Sequence, residues 1–388
     1  MDDSWDELMR QAAELASGSQ FKRSVVRCCS GLSSAFDEAL LDMTIHPGDQ
    51  MFTHSLREHR DAGAALSQYF NVGLQQYNAL SQIVNFLFDG RKGAIHVLDF
   101  ACGYGRMLRF LTLAMPRGNI VASELQLDAL DFVGGTFGVK TVPSSQDPSE
   151  FDPGRKFDLI WVASLFSHLP DDLFGAWLKR LASMLSPGGV LCFSVRDAAL
   201  LPEGRAMSDS GILYEPSSEN PDLSPSIYGT TYATEAYVSH CVTSFVGRGA
   251  TYFRLKKSLA NEQDIYVLSN KSSEKLGALR GFRRGVWGWL DRRQLTSSGE
   301  IYLEGWAASF DEGSVERVEV RVNGRQYFSF VDIPRSDVAA AFHDVRLQLS
   351  GWRFSGRVDK SGPAEIEVVC HDSISSALIY SGFLMPGR

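Results

Sequence analysis

The sequence predicts an α/β unit built on a mostly parallel sheet, preceded by helices and followed by a small all-β unit. Three observations carry this. Val97–Phe110 reads VLDFACGYGRMLRF, a short apolar strand, a glycine turn and the start of a helix. Further apolar runs follow at intervals, Asn119–Ser123, Phe157–Ala163 and Val190–Val195, separated by amphipathic stretches. Beyond residue 299 the period changes to two, as in Val318-Glu319-Val320-Arg321-Val322, which ends in the hairpin turn Asn323-Gly324. The predicted units are an N-terminal helical cap region (1–90), an α/β domain (91–270), a basic linker (271–298) and a β-sandwich (299–388).

The glycine turn decides the kind of α/β domain. A dinucleotide-binding turn would carry G-x-G-x-x-G, but the third position here is Leu108, and Asp99 precedes the turn. A carboxylate beside a pyrophosphate is repulsive, whereas a cofactor bearing an ammonium and a sulfonium favours one. The order D-x-x-C-G-x-G over Asp99–Gly105 resembles motif I of the class I S-adenosylmethionine (SAM) methyltransferases. The segments FDLIWVASLFSHLP and LSPGGVLCFSV continue the resemblance, which spans Val97–Val195. It implies a Rossmann-like methyltransferase domain with SAM as cofactor. The cofactor residues it implies are Asp99, Ala101, Gly103, Gly105 and Arg106 around the turn, and Glu124 and Leu125 at the end of the second strand. There an acid accepts hydrogen bonds from the ribose hydroxyls. Ser145 lies in the polar loop after a third strand (Phe137–Val142), beside the adenine in this family, and Ala163 closes strand four.

The N-terminal region begins with a capping-box pattern, Ser4 and Glu7. Trp5, Leu8, Met9, Ala12, Leu15 and Ala16 then form one helical face, a packing or dimerising surface. The adjacent Cys28-Cys29 pair has no assigned role. Residues 43–73 stand where such methyltransferases carry a cap over the cofactor. Their pieces GDQMF (Gly48–Phe52) and YFNVG (Tyr69–Gly73) resemble bacterial methyltransferases encoded with surface-polysaccharide genes. In that resemblance Tyr69 presents its ring to the cofactor's cation or carboxylate; alternatively it packs the cap onto the domain. Leu74, Tyr77, Leu80, Val84 and Leu87 continue as an amphipathic helix.

Methyl transfer from a sulfonium is an in-line displacement with a good leaving group, so the protein must chiefly align the nucleophile and exclude water. A hydroxyl acceptor adds a proton to remove. His168, at the carboxyl edge of the sheet, has the intrinsic pKa for that work; the other reading is a histidine that orders the loop. Asp197 and Glu219 are further catalytic candidates, and Arg196, Tyr228 and Thr231 are substrate candidates. Ser218-Glu219, the run Tyr228–Thr231 and Gln263–Val267 again resemble the polysaccharide-associated enzymes, in the insertion where this fold builds its acceptor pocket. Tyr214, Tyr232 and Tyr237 add aromatic surface for sugar C–H faces.

Residues 270–298 are basic within an acidic chain, with Arg283, Arg284, Arg292 and Arg293 interleaved with Trp287 and Trp289. They read as a linker helix packed on the catalytic domain, or as a contact with a membrane surface. The final ninety or so residues fit an immunoglobulin-like sandwich in outline. GWA, RSDVAAAF and SGWRF resemble β-domains appended to enzymes of surface-polysaccharide pathways. Trp306 and Trp352 are either sugar-stacking or core residues.

The chain has 388 residues, net charge −8 and a pI of about 5.6. That balance argues against a nucleic-acid substrate. Its six cysteines show no metal-ligand spacing, and no metal site is expected. The N-terminus lacks a signal-peptide pattern, and no apolar run is long enough to span a bilayer. The expected location is cytoplasmic, with peripheral contact at the inner membrane left open. The resemblance implies O-methylation of a sugar hydroxyl in lipopolysaccharide O-antigen or capsule synthesis. The acceptor would be a glycan or lipid-linked glycan, with a glycosyltransferase partner and homo-oligomerisation left open. The alternatives are a methyltransferase for a small metabolite or lipid, and a non-catalytic glycan-assembly scaffold.

Overall fold

The computed structural model describes residues 3–29, 37–218, 223–271, 274–358 and 362–387. Glu219 and the side chain of Ser4, and with them one catalytic candidate and the capping box, lie outside the described residues.

Four helices lead the chain: α1 (Asp3–Ser17), α2 (Ser19–Arg27), α3 (Gln50–His59) and α4 (Ala62–Leu87). Asp49 caps α3 by accepting from the backbone N–H of Met51 and Phe52, and Asp61 caps α4 by accepting from Ala64. The α/β domain then runs β1 (Val97–Phe100), α5 (Leu108–Ala114), β2 (Ile120–Glu124), α6 (Leu127–Phe137), β3 (Lys140–Pro143), β4 (Phe157–Val162), α7 (Asp171–Ser183) and β5 (Leu185–Asp197). After these come the hairpin β6 (Ile212–Glu215) and β7 (Thr230–Ala233), then α8 (Glu235–Cys241), β8 (Thr251–Leu259) and β9 (Gln263–Ser269).

The main sheet runs β3-β2-β1-β4-β5 in parallel, and β9 adds antiparallel to β5 with β8 outside it. The continuous apolar burial of β1 and β4 reflects helices on both faces. β7 pairs in parallel with the last two residues of β5, so the β6–β7 hairpin extends the carboxyl edge of the sheet. Two expected boundaries shift. Phe137 ends α6 rather than opening β3, because Gly138 caps that helix in a left-handed conformation (φ +64°). The Ser186–Gly189 turn is taken up as the irregular start of β5.

The all-β unit contains β10 (Val286–Leu295), β11 (Glu300–Ser309), β12 (Gly313–Ser314), β13 (Arg317–Val322), β14 (Arg325–Ile333), α9 (Ser336–Phe342), β15 (Gly351–Arg357), β16 (Ala364–His371) and β17 (Ser376–Leu384). Its strands are antiparallel in the order β10-β11-β15-β14-β13-β16-β17, with β12 on β11, around one core that includes Ile301, Val318, Trp352 and Ile366. Residues 271–298 are thus not a linker helix. They form a short 3-10 segment, Glu274–Gly281, and then β10, whose partner is β11. Val286, Trp287, Trp289 and Leu290 fall on both faces of this strand, and pairing with β11 decides the outcome. Trp287 is buried there, and Trp289 stacks on His59 at 4.7 Å, so neither indole stands free for a membrane. Trp352 is fully buried and Trp306 nearly so, as core residues. No helix among the described residues is long and apolar enough to cross a membrane.

The 26-residue helix α4 joins the units. A Cβ on Gly63 would stand 2.8 Å from the Ser381 carbonyl oxygen of β17, and one on Gly73 would stand 2.6 Å from the Arg106 carbonyl oxygen. The Ser381 N–H donates to Ser67 Oγ at 2.9 Å. Beside this contact Glu367, almost wholly buried, accepts from Ser24 and pairs with Arg27 at 3.1 Å. Replacing Gly63 by Val should therefore force α4 off β17 and cost about 1–3 kcal/mol. Chemical denaturation of the full chain measures this, and an unchanged midpoint would show that the packing is not tight there.

Candidate cofactor and acceptor site

The site forms where β1, β2 and β4 end. β1 delivers Asp99, and the chain then turns through left-handed conformations at Ala101 (φ +56°), Gly103 (φ +54°) and Gly105 (φ +75°). The two glycines serve different needs. The Cβ position of Gly103 faces open space, whereas a Cβ on Gly105 would sit 2.5 Å from the ring of Phe137. The Cys102 N–H bonds the Ser123 carbonyl at 3.1 Å and ties the turn to β2. Glu124, at the tip of β2, accepts from the N–H groups of Gly103 at 2.9 Å and Leu125 at 2.7 Å.

Asp99, Gly103 and Glu124 line one cavity, together with Ala101, Arg106 and Leu125. Burial pushes the Asp99 carboxyl up to about 8, and the like charge of Glu124 adds to the shift. Glu124 is raised as well, by burial first, with backbone N–H groups opposing. A buried carboxyl and a half-buried one beside it, both shifted upward by desolvation on the wall of a cavity, fit a cationic ligand; the open face at Gly103 fits a close backbone approach.

The other walls come from distant segments. Asp49, Gln50 and Met51 enter from α3, and Gln76 from α4. Ser145 and its neighbours follow β3, and Ala163 and Ser164 follow β4. The Ser145 hydroxyl donates to Glu150 at 2.7 Å. Ser164 has φ +58° and is held there: its N–H donates to Ser194 Oγ at 2.7 Å, and Gln263 reaches its hydroxyl at 3.1 Å. The apolar part of the wall comes from Leu165, Leu169, Leu173, Trp177 and Ile227, with Tyr228 beside them.

Several candidates fall elsewhere. Tyr69 is buried behind the wall, where its hydroxyl donates to Asp49 Oδ2 at 2.6 Å and its ring lies 5.7 Å below the Arg106 guanidinium. It orients two wall residues and does not itself line the cavity. Gly105 packs the turn rather than facing the ligand space. His168 is only 2% exposed; its Nδ1 meets the Gly229 carbonyl at 2.5 Å and its ring stacks on Tyr228 at 4.4 Å. It braces Tyr228 from behind instead of facing the cavity as a base. Thr231 is fully buried and donates to the Leu169 carbonyl at 2.6 Å, closing the same loop. Asp197 is bound by Arg254 at 2.6 Å, within a cluster that also holds Asp264 and Glu235. Arg196 lies over Tyr232 and pairs with Glu262 at 3.5 Å. Both are off the cavity because their partners sit on the outer side of the sheet edge.

Sequence reasoning missed Asp49, Gln76, Tyr104 and Trp177. The signal for Asp49 was present, since an Asp before QMF is an N-cap pattern; that the cap also faces the cofactor space depends on tertiary contacts. Tyr104 stacks on His46 at 4.7 Å and donates to Asp128, fixing the turn against α6. Among the described residues no three His, Cys, Asp or Glu side chains come together as metal ligands.

The strand order, the open glycine turn and the acid at the tip of β2 are those of a Rossmann-like methyltransferase fold. Residues 73–233 match the family model described as a methyltransferase domain. Two curated relatives align over part of it. The ubiquinone biosynthesis O-methyltransferase of Bradyrhizobium diazoefficiens is 29% identical over 114 residues, 26% of this chain and 40% of the relative. The malonyl-[acyl-carrier protein] O-methyltransferase of Acetivibrio thermocellus is 25% identical over 138 residues, 33% of this chain and 48% of the relative. The chain thus spans less than half the length of either relative. Among solved structures, Streptomyces venezuelae DesVI aligns at 16% identity and a TM-score of 0.41, over 58% of this chain and 99% of its own. The cofactor of such a domain is SAM, which supplies an electrophilic methyl group.

The raised Asp99 pKa sets a pH dependence. Below about pH 8 the carboxyl is protonated in the free protein, and a cationic cofactor must displace that proton. SAM affinity should then fall by up to about tenfold per pH unit below this point. Calorimetry of the wild type, with Asp99→Asn as the reference for the cofactor's own titration, measures the difference. Superimposable profiles would refute the assignment.

Proposed function

We propose that the chain transfers the SAM methyl group to a sugar hydroxyl of a bacterial surface polysaccharide, O-antigen or capsule. The observation that supports methyl transfer is one cavity whose lining includes both Asp99 and Glu124 and the Tyr228 side of the insertion. Donor and acceptor would share one cavity, which supplies the alignment the displacement needs. The names of the two curated relatives, both O-methyltransferases, support an oxygen acceptor. The sugar assignment is supported by the resemblance of the segments around Ser218, Tyr228 and Gln263 to polysaccharide-associated enzymes. Tyr228, held parallel to His168 at an interplanar angle of 7°, offers a flat ring and a hydroxyl at the acceptor end.

One observation favours a second reading. Leu165, Leu169, Leu173 and Ile227 make the acceptor end largely apolar, which suits a small metabolite or a lipid. Radiolabelled SAM offered with polysaccharide extract, lipid extract and small phenolic acceptors separates the two. Label in the polysaccharide fraction, with kcat/KM lowered roughly tenfold or more by Tyr228→Ala, is the expected result. Label in lipid or phenol alone would move the assignment to the second reading, and SAM binding without turnover on any acceptor would leave a scaffold.

A further inference from the structure

A second cavity, of about 240 Å³, lies between α4, the end of β8 and the start of the all-β unit. Its floor is one face of α4. Asn71, Gln75, Asn78, Gln82 and Asn85 recur at spacings of four and three, a stripe of five amides on a helix otherwise packed with apolar residues. Each amide carries two donors and an acceptor.

One of them has an evident structural task. Gln82 donates to the Arg283 carbonyl at 2.9 Å and accepts from the Arg283 N–H at 2.9 Å, clamping the chain that leads into β10. Others do not. Gln75 Oε1 and Asn78 Oδ1 are shielded from solvent and make no hydrogen bond within the protein, and Asn71 is only 7% exposed. Burying such groups costs free energy unless a ligand pairs with them.

The rest of the wall indicates the ligand's chemistry. No carboxylate lines the cavity among the described residues, and its two arginines are engaged. Arg283 pairs with Glu312 at 2.7 Å, and Arg284 donates to the Phe310 carbonyl at 2.9 Å. A cationic ligand therefore meets no carboxylate on this wall, and an anionic one meets only the Arg284 guanidinium, already held by the Phe310 carbonyl and ring. Phe282 and Trp287 add apolar surface. Amides that both donate and accept, beside aromatic surface, suit neighbouring hydroxyls on a ring with C–H faces. Gln76, the next residue along α4, lines the cofactor cavity instead, so the helix separates two distinct spaces.

We propose that the amide stripe of α4, closed over by Phe282 and Trp287, is a second binding site, for a neutral saccharide unit. This goes beyond the methyl-transfer reading and does not depend on it. The test is saturation-transfer NMR and calorimetry on the full chain with D-glucose, L-rhamnose and D-glucuronate as probes. At least one neutral sugar should bind, Asn78→Leu and Gln75→Met should each weaken it by about fivefold or more, and Tyr228→Ala should leave it unchanged. Both stripe variants remove an amide oxygen that lacks a partner within the protein, and thermal melting verifies that they fold. If Asn78→Leu does not fold, Gln75→Met decides. No binding of either neutral sugar, binding of glucuronate alone, or binding indifferent to the stripe variants would overturn the proposal. A signal abolished by Tyr228→Ala would place the sugar in the acceptor cavity and overturn it as well.

Discussion

The close approach of α4 to its neighbours is the constraint on which the architecture rests. Gly63 lets the helix lie on β17, and Gly73, almost three turns later, lets the cofactor turn lie on the helix at Arg106. A side chain at either point would force the backbones apart. Because one rigid rod makes both contacts, the all-β unit and the glycine turn hold fixed positions relative to each other. Asp49 depends on this as well, since Tyr69 on α4 holds its carboxylate in the cavity wall. The all-β unit is therefore coupled mechanically to the cofactor site, through a helix that belongs to neither sheet.

The carboxyl edge of the main sheet carries two groups of acids, and their surroundings separate them. Asp197, Asp264 and Glu235 surround Arg254, which neutralises much of their charge and ties β5, β9 and α8 together. Among the described residues no cation pairs with Asp99 or Glu124 in this way. The charged group that acts on Asp99 is another carboxylate, and burial adds to the penalty. A buried pair of this kind is costly to keep ionised, and a cationic cofactor removes that cost. The difference between the acids tied into the structure and those left facing the cavity thus lies in the presence of one arginine.

That difference also explains what could be read in the sequence. The turn Asp99–Gly105 and Glu124 are local features: strand, glycines and acid follow one another within a short span, and the chain's own stereochemistry sets them. The strand order follows from the same alternation of elements. The fate of a polar side chain in the 165–231 region is not local. His168 and Thr231 both look like functional groups in sequence, and both are consumed by a pairing between two loops some sixty residues apart, through the Gly229 and Leu169 carbonyls. Trp287 and Trp289 similarly gave no indication that a partner strand would take them. Tyr69 reads in the sequence as a cofactor residue, but its hydroxyl serves Asp49, a cap residue whose position only the fold reveals.

The loop pairing also fixes the cavity wall at Tyr228. Gly229 donates its N–H to the His168 carbonyl, and Thr231 donates its own to Ser167, so the insertion is stitched to the segment after β4 by backbone as well as side-chain bonds. His168 is thereby fixed on both its main chain and its ring, and Tyr228 inherits that rigidity through the stack. A rigid aromatic wall opposite apolar side chains selects by shape more than by charge. Deprotonation of the acceptor then need not be assigned to His168, because the sulfonium is already a reactive electrophile, and orientation supplies much of what the displacement requires. The histidine that looked like a base in the sequence acts by keeping a tyrosine still.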